Sequence, residues 1–122
     1  MRTKPKLLYV DDEPLNLMLF NLNFRKRFDV ITAESGYIGL EILKFNDGMD
    51  VVISDMKMPG MSGTDFIRAA KRDYPDVPYF ILTGFDITDE IAMALKEGLI
   101  HKYFRKPFNM RDMEESINKV LK

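Results

Sequence analysis

Residues 51–55 of the chain read Val-Val-Ile-Ser-Asp, and residues 56–63 continue as Met-Lys-Met-Pro-Gly-Met-Ser-Gly. A short apolar run rich in β-branched residues predicts a strand that is buried on both faces of a sheet. The run stops at Asp55, and Pro59-Gly60 predicts a turn before the next helical pattern. Ligands usually bind at the carboxyl ends of parallel strands, which makes Asp55 a candidate for chemistry. The alternative is a carboxylate that only ends the strand and bonds its own loop.

Length and composition indicate one globular domain. The 122 residues are 46% hydrophobic and 30% charged, and 18 basic against 19 acidic residues leave a net charge of −1, which gives no electrostatic case for nucleic acid or an anionic membrane. The absence of cysteine excludes disulfides and thiolate metal sites. No apolar run approaches the roughly 20 residues that span a bilayer, and residues 1–6 do not resemble a signal peptide. We expect a cytoplasmic protein with no direct nucleic-acid or membrane binding.

Short apolar runs alternate five times with helical patterns. Helix one is expected to start at Pro14, because Leu15, Met18, Leu19 and Leu22 fall at helical spacing, and Asn109 is a candidate cap for helix five. The expected strands are 6–10, 28–33, 51–55, 77–82 and 102–104, and the expected helices are 14–26, 37–45, 64–72, 88–96 and 110–121. Such alternation with short connections predicts a doubly wound α/β fold, with helices on both faces of a parallel sheet.

Polar side chains follow four of these strands at the same predicted edge. Asp11 and Asp12 follow strand one, Asp55 ends strand three, Thr83 follows strand four and Lys106 follows strand five. Three carboxylates in one cleft repel one another unless a cation is present, and oxygen ligands suit Mg²⁺. A lysine and a hydroxyl could contact further anionic oxygens, as an acyl phosphate on an aspartate would require. Asp-Asp alone is more typical of a helix cap, Thr83-Gly84 alone of a turn and Lys106-Pro107 alone of a loop, so the prediction depends on their combination.

Four segments together resemble the receiver domain of the bacterial two-component response regulators, the CheY-like family. They are Val10–Glu13 (Val-Asp-Asp-Glu), Asp55–Gly63, Leu82–Gly84 (Leu-Thr-Gly) and Tyr103–Phe108 (Tyr-Phe-Arg-Lys-Pro-Phe). The resemblance covers essentially the whole chain. It implies a (βα)5 three-layer sandwich with strand order 2-1-3-4-5, a single receiver domain over residues 1–122 and no effector domain in this chain.

The resemblance also implies the metal and phosphoacceptor residues. Asp55 would be the phosphoacceptor. Asp12 would bind Mg²⁺ directly, Asp11 would act mainly through water, and Asp55 and the backbone carbonyl of Lys57 would complete the protein ligands.

Further roles are implied for the residues that follow strand four and for those around strand five. Thr83 and Lys106 would contact the phosphoryl group, and the Lys106–Pro107 bond would be cis. Tyr103 would be the aromatic switch, turning inward as Thr83 moves and changing the helix 4–strand 5–helix 5 surface. A sensor histidine kinase or phosphotransfer protein would supply the phosphoryl group, and the output would pass to an effector that the sequence does not identify. The domain would be a monomer or a phosphorylation-dependent dimer, and a regulator rather than an enzyme, although it would assist its own phosphorylation and dephosphorylation.

Two positions suggest a hypothesis about phosphoryl lifetime. Lys57 lies two residues after Asp55 and Phe85 two residues after Thr83, places that tune hydrolysis in the family that the chain resembles. We expect both side chains to restrict an attacking water and to prolong the phosphorylated state.

Three other function classes fit these residues less well. A Mg²⁺-dependent phosphohydrolase would want an acid at position 57, where the chain has lysine. A flavodoxin-like nucleotide-binding module would need a phosphate cradle where Asp-Asp-Glu-Pro stands at 11–14. An inactive interaction domain would not need all five active-site positions.

Overall fold

The computed structural model describes residues 4–46, 48–84 and 87–121, in which five strands alternate with five helices. The strands are β1 (Lys6–Val10), β2 (Asp29–Ala33), β3 (Val51–Asp55), β4 (Tyr79–Thr83) and β5 (Lys102–Arg105). The helices are α1 (Pro14–Phe24), α2 (Gly36–Phe45), α3 (Gly63–Asp73), α4 (Asp89–Lys96) and α5 (Met110–Leu121). All neighbouring strands are parallel, in the order β2-β1-β3-β4-β5. The predicted doubly wound fold and its strand order are confirmed.

Alternating side chains of the strands divide the core between two faces of the sheet. On β1, Leu7 and Tyr9 pack on the face covered by α1 and α5, whereas Leu8 and Val10 pack on the face covered by α2, α3 and α4. β3 is buried along its whole length, as its apolar sequence predicts. The molecule therefore has three layers, with the sheet in the middle.

The apolar residues that predict α1 do not form its buried face. Leu17, Phe20 and Phe24 are the buried residues of this helix. The exposed residues, called the α1 stripe below, lie between 47% and 58% exposed and are Leu15, Met18, Leu19 and Leu22. Because α1 is apolar on two sides, helical spacing alone identifies the helix but not the side that meets the sheet.

Two element bounds differ from the predicted ones by two residues, and the other differences are of one residue. α1 ends at Phe24 rather than at residue 26, where the Arg27 N–H donates to the Phe24 carbonyl at 3.0 Å, three residues back instead of the four of an α-helix. This turn brings Phe28 into the core. β4 begins at Tyr79 rather than at residue 77, after Pro78, which has no N–H to donate.

Several local predictions are confirmed. Pro14 opens α1, and the Asn109 side chain accepts a hydrogen bond from the Asp112 N–H at 3.1 Å at the start of α5. Asp47, expected in the turn after α2, and Phe85 lie outside the described residues. Within the described ranges, no helix has the length and apolar character needed to cross a membrane.

Candidate functional site

Three carboxylates converge at the carboxyl edge of the sheet. One oxygen from each of Asp11, Asp12 and Asp55 lies within 4.8 Å of the others. They meet because β1 and β3 are parallel neighbours in which Val10 pairs with Ser54, so the residues that follow emerge side by side. Asp11 is completely buried, Asp55 is 8% exposed and Asp12 is partly exposed. The three acids predicted to share a cleft are therefore brought together.

Lys106 reaches the same cleft from β5. Its backbone N–H donates to the Thr83 carbonyl at 2.8 Å, which ties the loop after β5 to the end of β4. Its ammonium nitrogen Nζ lies 3.0 Å from Asp55 Oδ1 and 3.5 Å from Asp11 Oδ2. The Lys106–Pro107 peptide bond is cis, as the resemblance implies. One lysine is thus in contact with two of the three acids.

Burial and charge act against each other at this pair. Burial raises the pKa of Asp55, Lys106 lowers it, and Asp11 and Asp12 raise it, so that the net result lies above the ordinary value. Burial would lower the pKa of Lys106, but Asp55 and then Asp11 raise it above its ordinary value. Lys106 therefore stays charged, and among the described residues this cleft sets one ammonium group against three carboxyl groups.

The loop after Asp55 folds back against the end of β3. The Gly63 N–H donates to the Met56 carbonyl at 2.8 Å, and a β-carbon at Gly63 would overlap the Asp55 carbonyl oxygen. Gly60, with φ of +80°, makes the turn that Pro59-Gly60 predicts. Lys57 lies on this loop with its side chain exposed. The close approach at Gly63 fixes the backbone on which Asp55 is presented.

Thr83 and Tyr103 lie on neighbouring strands. Thr83 ends β4 and is 1% exposed, while Tyr103 on β5 is partly buried and packs on the face covered by α3 and α4. Ile81 pairs with Tyr103, and Thr83 pairs with Arg105. Since every second residue of a strand shares a face, Thr83 lies on the same face as Ile81 and Tyr103. The two predicted switch residues therefore lie on the same face of the sheet, and Thr83 is two residues beyond the β4 partner of Tyr103.

Tyr9 is a site residue that the sequence analysis did not single out. Its hydroxyl donates to Asp11 Oδ2 at 2.6 Å, and the Glu13 backbone N–H donates to Asp11 Oδ1 at 3.0 Å. Burial, the hydrogen bond to Asp11 and the nearby carboxylates raise the pKa of Tyr9, so its hydroxyl remains a donor. A tyrosine within an apolar strand is typical of a core residue. The sequence feature that could have identified Tyr9 is its position two residues before Asp11, on the same face of the strand.

The donor set fits a hard divalent cation. Carboxylate oxygens grouped within 4.8 Å, without histidine or cysteine among them, are ligands that Mg²⁺ accepts. The charge imbalance of the cleft favours a cation there. These features define a class: a doubly wound α/β protein whose sheet edge combines an acidic cation site with a lysine held against an aspartate.

Comparison with known proteins identifies the family. The family model described as "Response regulator receiver domain" matches residues 7–118. The chemotaxis protein CheY homolog of Campylobacter jejuni is 31% identical over 95% of this chain and 92% of its own length. A response regulator receiver domain protein from Clostridium thermocellum superposes with a TM-score of 0.90 at 38% identity, over 96% of this chain and 94% of that one. The chain belongs to the response regulator receiver domain family of two-component systems.

The same domain occurs within longer relatives. The transcriptional regulatory protein GlrR of Escherichia coli is 32% identical over 99% of this chain, which spans 27% of the length of GlrR. The fold and the family thus agree, and the phosphoacceptor role of the domain follows from the family.

Proposed function

We propose that Asp55 is the phosphoacceptor of this receiver domain and that it takes its phosphoryl group from a histidine kinase or a phosphotransfer protein. A carboxylate oxygen of Asp55 attacks phosphorus, the bond between phosphorus and the donor's histidine nitrogen breaks, and that nitrogen keeps the electron pair. Lys106 contacts the phosphoryl oxygens and balances their charge, and the Thr83 hydroxyl donates to another of them. The domain's own part is positioning and electrostatic stabilisation.

The acids of the cleft have separate roles in this proposal. Asp12 and Asp55 would bind Mg²⁺ directly, Asp11 would act mainly through water, and the Lys57 carbonyl would be a further ligand. Bound Mg²⁺ supplies positive charge that offsets the phosphoryl oxygens. The carboxylate cluster supports the assignment of the three acids, while the assignment of the Lys57 carbonyl is carried over from the family.

One observation carries the proposal: the Lys106 ammonium group is 3.0 Å from a buried aspartate carboxylate that shares its cleft with two more acids. We would measure phosphoryl incorporation from acetyl phosphate with and without Mg²⁺, in the wild type and in Asp55→Asn. The expected result is labelling that needs Mg²⁺ and is lost in the variant. Labelling that survives in Asp55→Asn would assign the phosphoacceptor to another residue.

The output surface of the proposal is formed by α4, β5 and α5. Phosphorylation draws Thr83 toward the phosphoryl group, and Tyr103, one step away on the same face, turns inward. Tyr103 also lines a groove of about 540 Å³ with Leu95, His101 and Arg105, so its movement changes a surface that a partner can contact. This coupling shifts a two-state equilibrium rather than adding a second chemical step.

The α1 stripe supports contact with a protein phosphodonor. Leu19 of the stripe and Lys106 line one groove of about 370 Å³, so the stripe borders a groove that reaches the lysine of the cleft. Contiguous exposed apolar residues are typical of protein interaction sites. A donor helix that covers the stripe would bring its phosphohistidine toward Asp55.

A further inference from the structure

Tyr9 is a buried group in direct contact with the acidic cleft that the proposed phosphotransfer does not use. Its ring is 1% exposed and stacks on Phe20, with ring centroids 4.1 Å apart and planes 14° from parallel. A ring packed in this way has little freedom to rotate. The hydroxyl is therefore a fixed donor, aimed at Asp11 Oδ2 at 2.6 Å.

Both oxygens of Asp11 accept hydrogen bonds from neutral groups. The Tyr9 hydroxyl occupies Oδ2, and the Glu13 N–H occupies Oδ1 at 3.0 Å. These two donors come from the residues that flank Asp11 in sequence, so β1 and the loop after it together set the orientation of the carboxylate. A carboxylate held at both oxygens keeps a fixed orientation, and so do its remaining lone pairs.

The ammonium group of Lys106 lies close to two acids. Its Nζ lies 3.0 Å from Asp55 Oδ1 and 3.5 Å from Asp11 Oδ2, the oxygen that also accepts from Tyr9. The Tyr9 hydroxyl satisfies part of the hydrogen-bonding capacity of this oxygen. It thereby weakens the attraction of Asp11 for the ammonium group. Without that hydroxyl, Asp11 would compete more strongly with Asp55 for Lys106.

We propose that Tyr9 is a positioning residue, whose hydroxyl holds the Asp11 carboxylate in the orientation in which it serves the Mg²⁺ site through water, and leaves Lys106 on Asp55. The proposal rests on the proposed function, because it assigns Asp11 to the Mg²⁺ site. It extends that function by placing one determinant of Mg²⁺ affinity in the core of the domain, outside the set of ligands. Hydrogen-bond partners of metal ligands commonly change metal affinity by 10- to 100-fold when they are removed.

The variant Tyr9→Phe tests the proposal, because it keeps the ring that stacks on Phe20 and removes only the donor. Tyr79→Phe is the matched control. Tyr79 is also a 1% exposed tyrosine, and its hydroxyl donates to the Tyr74 carbonyl at 2.8 Å, but it begins β4 and so lies at the opposite edge of the sheet. Each variant loses one tyrosine hydroxyl and its hydrogen bond, and thermal unfolding in EDTA would verify that both fold.

Two measurements need no phosphodonor. Titration with MgCl₂ followed by ¹H–¹⁵N NMR gives the Kd for Mg²⁺, and the ¹⁵Nζ resonance of Lys106 in EDTA reports the partner of its ammonium group. For Tyr9→Phe we expect Mg²⁺ binding about tenfold weaker, the lower end of the range for hydrogen-bond partners of metal ligands. We also expect the Lys106 resonance to be displaced. For Tyr79→Phe we expect neither change.

The proposal is overturned if Tyr9→Phe binds Mg²⁺ as the wild type does, or if Tyr79→Phe weakens binding equally. A wild type that does not bind Mg²⁺ would contradict the proposed function as well. That failure is recognisable because it would occur before any substitution is made.

Discussion

Asp55 carries an unfavourable charge when no cation is bound, because burial and two neighbouring acids outweigh the contact with Lys106. The folded protein therefore holds the Asp55 proton more tightly than the unfolded chain does. The contribution of Asp55 to stability is fully present below the ordinary carboxyl pKa of about 3.9 and is lost as the pH rises through the higher pKa of the folded state.

The direction of this pKa shift predicts how Asp55→Asn changes the stability of the domain in EDTA. At pH 7 the variant should exceed the wild type in unfolding free energy, on the order of 1 kcal/mol, since it lacks the buried charge. Near pH 4 the difference should shrink. Urea unfolding at both pH values is the measurement, and a variant that is less stable than the wild type at pH 7 would contradict the expected direction.

The prediction about Phe85 rests on the sequence alone, because Phe85 lies outside the described residues. Two residues past Thr83, a bulky side chain is expected to restrict the water that hydrolyses the acyl phosphate. Phe85→Ala should shorten the phosphoryl lifetime several-fold relative to the wild type. Loss of label after removal of acetyl phosphate measures this lifetime, and an unchanged or longer lifetime would refute the hypothesis.

Among the secondary-structure elements, the loop from Asp55 to α3 depends on one close backbone approach. A β-carbon at Gly63 would overlap the Asp55 carbonyl oxygen, and a backbone atom moves aside less readily than the end of a flexible side chain. We expect Gly63→Ala to cost about 1–3 kcal/mol of stability, as overpacking does, and to reduce labelling of Asp55. At Gly84 a β-carbon would meet only Lys106 Cδ at 4.0 Å, so unfolding of Gly84→Ala is the steric control. Equal stability losses in the two variants would argue against the overlap.

The α1 stripe gives a prediction that separates the donor from the chemistry. Met18→Glu places a charge on the stripe, so labelling by a purified histidine phosphotransfer protein that serves the wild type should slow about tenfold, or roughly 1.4 kcal/mol. Labelling by acetyl phosphate should be unchanged, because this small donor needs no docking surface. Phe45→Glu, at a 77% exposed position on α2, is the control. A tenfold loss in both variants would argue against a specific surface.

The sequence predicts elements better than it predicts faces. The β-branched run of β3 and the helical spacing of α1 were enough to place both elements and the sheet between its helices. The spacing could not show that Leu17, Phe20 and Phe24 face the core rather than the α1 stripe, since both sets recur at helical intervals. At the cleft, charged residues were predictable from their positions at strand ends. Tyr9 was not, because a hydroxyl on a buried aromatic ring has no distinct pattern in sequence.

For the whole molecule, a cation bound only by the folded state should couple to global stability. Addition of Mg²⁺ at 100 times its Kd should stabilise the domain by about 2.7 kcal/mol, and Asp12→Asn should lose most of this gain. Thermal unfolding with and without MgCl₂ measures the effect. CaCl₂ at equal concentration tests ion preference, and a wild type whose unfolding ignores Mg²⁺ would contradict a cation site.

The three-layer arrangement separates two tasks in space. α1 lies over one face of the sheet, whereas Thr83 and Tyr103 lie on the other, toward α3 and α4. Substitutions in the proposed donor surface on α1 can therefore accumulate without altering the two proposed switch residues. Such a domain can be rewired in evolution to a new upstream signal while its downstream response is kept, and the reverse change is equally open to it.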